Sequence, residues 1–74
     1  MLKRRDLRNR GVEDEYEKAL EKLNSNQREA VIMRVELGSS YEEIAEVLGS
    51  PSRNAARMVV SRGLVQLAGL MHAD

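Results

Sequence analysis

Residues 40–67, SYEEIAEVLGSPSRNAARMVVSRGLVQL, leave little freedom in how this chain folds locally. Ser40 stands where a capping side chain accepts a backbone N–H, and Glu43, three residues on, completes the capping-box spacing. Ile44, Ala45 and Leu48 then make one apolar stripe along a short helix, Tyr41 to Leu48. Gly49 follows where a left-handed residue commonly ends a helix. Pro51 and Ser52 open a second, longer helix, since proline is tolerated in a first turn and serine can cap it. Two helices meeting across so short a turn spell a helix-turn-helix. In that motif the second helix is often the one that enters a DNA major groove.

The upstream chain supplies two more helices. From Glu13 to Leu23, Tyr16, Ala19, Leu20 and Leu23 recur at i, i+3, i+4 and i+7, and Glu17, Lys18, Glu21 and Lys22 fall on the polar side. Glu13, Asp14 and Glu15 place negative charge at the favourable end of that helix. Asn24, Ser25 and Asn26 form a break rich in capping residues. A helix is then expected over Asn26 to Leu37, with Val31, Ile32 and Val35 inward and Gly38 as its stop. Arg34, within that apolar run, is either an edge residue reaching for water or an internal ion-pair partner. The expected fold class is therefore all-α: a small four-helix domain containing a helix-turn-helix. It spans residues 13–72, after a basic leader or linker remnant over residues 1–12.

Seventy-four residues permit one small domain. A chain of this size buries only about 60% of its unfolded surface, so its stability should be modest. With no cysteine, neither a disulfide framework nor a thiolate metal site supplements the core. No apolar run approaches the roughly 20 residues of a membrane span, and the start MLKRRDLRNR lacks the apolar stretch of a secretory signal. No membrane association and a cytoplasmic location are expected.

The formal net charge is zero, but its distribution is uneven. Acidic residues crowd positions 13–46, whereas Gly49 to Ala73 carries Arg53, Arg57 and Arg62 with no acid. Within this last helix Ala56, Val60, Gly63 and Leu67 form the stripe at helical period that should be buried. Arg57 and Ser61 share another face, with Asn54 and Met58 in the same sector, Arg53 in the first turn and Arg62 to the side. Arg57 suits guanine O6 and N7 or a phosphate, Asn54 suits adenine or a helix cap, and Met58 suits a thymine methyl. Tyr41, Ser52 and Ser61 offer hydroxyls to phosphate oxygens. Tyr41, Ser52, Arg53, Asn54, Arg57, Met58, Ser61 and Arg62 are thus the candidate DNA-binding residues, against the plainer reading of each as ordinary surface or helix-end chemistry. Gly63 is costly in mid-helix by about 1 kcal/mol relative to alanine, so it either permits close packing or marks a bend.

Catalytic chemistry is not expected. The one histidine, His72, lies near the end of the chain without a ligand cluster, which leaves no metal site and no cofactor to predict. Glu42 and Glu43 are helix neighbours pointing in different directions, and no phosphate loop or nucleophile–base spacing occurs.

The run LNSNQREAVIMRVELGSSYEEIAEVLGSPSRNAARMVVSRGLVQLA also carries a family resemblance. Leu23 with Arg28 and Glu29, Gly38 with Ser40 to Gly49, and the basic helix Ala55 to Leu67 resemble the C-terminal domain, region 4, of bacterial RNA polymerase sigma factors, most closely the extracytoplasmic-function type. That resemblance implies binding of the −35 promoter element through the second helix of the motif. It also implies contact with the RNA polymerase core at the β flap, and an anti-sigma factor as a further candidate partner. The chain departs from the family pattern in three respects. Ser39 stands where an apolar residue often follows the glycine. The family's early Ser-Arg pair falls, aligned without gaps, on Arg57 and Met58, while Ser61-Arg62 lies a turn later. Nothing corresponds to the domain that melts and reads the −10 element, so an excised domain is expected. Two alternatives remain: a module that binds polymerase or an anti-sigma factor without reading DNA, and a dimeric helix-turn-helix repressor on palindromic half-sites.

Overall fold

The computed structural model describes residues 14–72, and within them the chain forms four helices and no strand. Helix α1 is described over residues 14–22, α2 over Ser25–Val31, α3 over Tyr41–Leu48 and α4 over Arg53–Met71. The basic leader expected over residues 1–12 lies outside the described residues, as does Glu13, the expected start of α1.

The starts of α2, α3 and α4 and the end of α3 each have an identifiable chemical cause. Asn24 Oδ1 accepts from the Gln27 N–H at 2.8 Å, which starts α2 at Ser25, one residue earlier than the spacing predicts. The capping box is complete in both directions. Ser40 Oγ accepts from the Glu43 N–H at 3.1 Å, and Glu43 Oε1 accepts from the Ser40 N–H at 2.8 Å. Gly49, at φ 69°, then ends α3 by letting the Ser50 N–H reach back to the Ala45 carbonyl at 2.8 Å. Ser52 caps α4 by accepting from the Ala55 N–H at 3.1 Å.

The end of the second helix departs from expectation. After Val31 the helix widens into a π-type turn over Ile32–Glu36, closed by the Leu37 N–H on the Ile32 carbonyl at 3.2 Å. Ile32 packs on the α1 side of the core, and Glu36, one turn on, accepts a 2.8 Å hydrogen bond from the Tyr16 hydroxyl of α1. Met33 packs on the α3 side instead, where the Arg34 guanidinium lies 4.2 Å from the centre of the Tyr41 ring. Val35 takes the direction left over and is 54% exposed, which corrects its expected inward placement. Arg34 is exposed, which agrees with the edge residue expected of it, and it makes no ion pair among the described residues. Its Nη1 donates to the Ser39 carbonyl at 3.0 Å, so it ties the end of the second helix to the loop before α3.

The core forms two clusters. Ala19, Leu20, Leu23, Val31 and Leu67 join α1, α2 and the C-terminal half of α4. Ala30, Ile44, Ala45, Ala56 and Val60 join α2, α3 and the N-terminal half of α4. Neighbouring residues of α2, Ala30 and Val31, are fully buried in different clusters, and α4 runs past both. Gly63 sits between them. A Cβ built there would lie 2.7 Å from Val31 Cγ2 and 3.5 Å from the Gln27 carbonyl oxygen. The glycine therefore serves close approach of α4 to α2, and α4 continues unbroken through it.

Candidate nucleic-acid interface

The inward stripe of α4 determines what its other sides can present. Ala56, Val60, Gly63 and Leu67 are buried, as their spacing predicts. At 100° per residue, Asn54, Met58, Ser61 and Val65 lie roughly opposite that stripe, while Arg57 and Arg62 flank them about 140° apart. Arg53, Asn54, Arg57, Met58, Ser61 and Arg62 are all exposed, and so is Ser52 at the helix start. Seven of the eight expected residues are thereby brought to the first half of one helix and its cap. The eighth, Tyr41, opens α3, is half-buried and has its ring beneath Arg34.

The three arginines of α4 are in different states. Arg53 Nη1 lies 3.9 Å from Glu42 Oε2 on α3, with both side chains well exposed. Such a surface pair contributes little stability, but it offsets part of the Arg53 charge. Arg57 Nη2 donates to Asn54 Oδ1 at 3.0 Å, which draws its guanidinium from the flank towards the outward arc. Arg62 makes no ion pair or side-chain hydrogen bond among the described residues. The Ser52 hydroxyl oxygen is committed to the helix cap, so Asn54 is free of the capping role that its type also suits.

This surface can do two things chemically. Its amide and guanidinium N–H groups match acceptor atoms at base edges, and its positive charge matches phosphates. The nearest acids on α3 are Glu42, Glu43 and Glu46, and Glu43 is turned into the capping box. Three features were missed in reading the sequence: the Arg34–Tyr41 stack, the Glu42–Arg53 pair and the exposed Val65. Val65 was the most accessible of these, since it stands seven residues after Met58 on the same side of the helix. It borders a shallow apolar hollow with Ser61, Arg62 and Gln66.

A second open hollow lies along α2 and its π-type turn, lined by Ser25, Arg28, Glu29, Ile32, Met33 and Leu37. Among the described residues no three His, Asp or Glu side chains gather as metal ligands, and His72 is exposed at the end of α4. No described helix is long and apolar enough to cross a membrane.

A family model described as "Sigma-70, region 4" matches residues 13–67. Comparisons with curated proteins and with solved structures give no match. The matched span takes in α1, α2, α3 and the part of α4 that carries the exposed arginines.

Proposed function

Because the chain belongs to the sigma-70 region 4 family, a DNA-binding family of transcription initiation rather than a family of enzymes, we propose that it reads the −35 promoter element with the N-terminal half of α4. The observation that carries this reading is an acid-free, arginine-bearing helix face, exposed on the second helix of a fully capped helix-turn-helix. In this reading Asn54, Arg57, Met58 and Ser61 face base edges in the major groove. Ser52, Arg53, Arg62 and Tyr41 contact phosphates and hold the register. The β flap of RNA polymerase docks along the α2 hollow, where Leu37 is 70% exposed. Residues 13–72 form the working domain, residues 1–12 a basic leader or linker, and the setting is the cytoplasm.

The test is binding of the chain to a randomised duplex library at two salt concentrations, with Arg57→Ala alongside. Enrichment of a short asymmetric element is expected, weakening steeply with salt and lost in Arg57→Ala. A palindromic enrichment would point instead to a dimeric repressor.

A second reading is favoured by one specific observation, the apolar outward surface of Leu64 and Val65 on α4. It makes the domain a module for polymerase or an anti-sigma factor that does not read DNA. Absence of enrichment at low salt, with retention of RNA polymerase core in a pull-down, is the result that would favour it.

A further inference from the structure

Asn54 and Arg57 are one turn apart on the outward side of α4 and are joined by a hydrogen bond, Arg57 Nη2 to Asn54 Oδ1, at 3.0 Å. This bond changes what each side chain can offer a base. An asparagine reads adenine by accepting from N6–H and donating to N7 in the same plane, which requires its oxygen as well as its nitrogen. Here one of the oxygen's two lone pairs is taken by the guanidinium, so adenine N6–H would have to share that atom with Arg57, and most of the polar groups left on the pair are N–H donors. Arg57 has five N–H donors and commits one to Asn54, which leaves four on a planar group held in place. Donors alone match the major-groove edge of guanine, whose O6 and N7 are both acceptors. A guanidinium that keeps this bond loses less rotamer freedom on binding than an unpaired one.

We propose that Asn54 and Arg57 act as one guanine-selecting unit, in which Arg57 contacts the base and Asn54 is the positioning residue that orients it. This rests on the DNA-reading function proposed above and goes further, because it assigns a base and makes Asn54 a positioning residue for Arg57 rather than an independent reader of adenine. Arg62, which lacks such a partner among the described residues, contributes charge and no base preference.

The test uses the full chain on the best duplex from the library, with each guanine replaced in turn by 7-deazaguanine and each adenine by 7-deazaadenine. One 7-deazaguanine position should weaken wild-type binding by about fivefold or more, the lower end for a bidentate contact, and have no effect on Arg57→Ala. Asn54→Ala, exposed and expected to fold, should reduce the guanine-over-adenine ratio at that same position. Asn54→Asp, which keeps an acceptor for Arg57, should restore the ratio even though overall affinity falls. An unchanged thermal midpoint in both variants would separate positioning from folding. Salt-dependent binding without a guanine requirement overturns this proposal and leaves the DNA-binding reading standing, as does a 7-deazaadenine effect abolished by Asn54→Ala. No binding to any duplex at low salt overturns both.

Discussion

The two halves of α4 share one inward design and have opposite outward ones. From Arg53 to Arg62 the exposed residues are chiefly three arginines, an asparagine and a serine, with Met58 among them, above a cluster built with α3. From Gly63 to Met71 there is no charged residue, and Leu64 and Val65 stand exposed above a cluster built with α1. Inward, both halves use small or branched apolar residues at helical spacing, with Gly63 at the junction. The stripe that folds the helix therefore leaves its function undetermined. The chemistry available for binding is presented on the opposite side, and it changes character within about two turns.

The most damaging way to probe this arrangement is to empty one cluster. Ile44 is fully buried beneath the first half of α4, and Ile44→Ala should cost about 2–5 kcal/mol. That is a large part of the roughly 4–11 kcal/mol available to a domain of this size. The chain's two tyrosines report separately, Tyr16 beside one cluster and Tyr41 beside the other. In urea titrations of the two single-tyrosine variants, both signals should be lost at the same lowered midpoint, because α2 and α4 run through both clusters. A Tyr16 signal that outlasts Tyr41 would show two separately stable halves.

Next in size is the functional contrast. Arg57→Ala should weaken DNA binding by about tenfold, the loss of one good base or phosphate contact, whereas Val65→Ser should leave it unchanged. Both positions are exposed, so each should alter folding stability by no more than about 0.5 kcal/mol. Equal effects on DNA binding would erase the distinction between the halves.

The junction itself offers a smaller effect. Gly63→Ala places a methyl 2.7 Å from Val31 Cγ2, and Val31 is fully buried and stiff at χ1. Overpacking of about 1–3 kcal/mol should outweigh the roughly 1 kcal/mol gained in helix propensity, a net loss near 1 kcal/mol. A double-mutant cycle with Val31→Ala should recover part of that loss; strict additivity would mean that the two residues do not press on each other.

The smallest effect concerns the α1 side alone. Burial, with the hydrogen bond and the negative charge of Glu36, pushes the Tyr16 phenol from 10.0 up to about 12. The unfolded chain loses this proton first, so the folded chain holds one more between those values. The associated stability is complete below pH 10 and is lost as pH rises towards 12. Tyr16→Phe should flatten the fall of the urea midpoint over that window relative to wild type, since every other group is common to both chains.

Much of this architecture was legible one residue at a time. Ser40, Glu43, Gly49 and Ser52 sit where local hydrogen bonding and φ preference act within a few residues, and each does what its position predicts. Spacing also separated the buried stripe of α4 from its exposed arginines, because the helical period holds along a straight helix. The second helix was less legible. Its apolar run VIMRV contains several possible inward faces, and the neighbours decided among them.

By itself the sequence determined the capped helix-turn-helix, the buried side of its long helix and the acid-free basic surface, since these follow from interactions within a few turns. Tertiary packing alone decided that Ala30 and Val31 serve different clusters and that Val35 faces outward. It also decided that Arg34 lies over Tyr41 and that Gly63 is a point of contact rather than a bend. The physical reason is that each of these depends on atoms far apart in the chain, whose separation no local periodicity encodes.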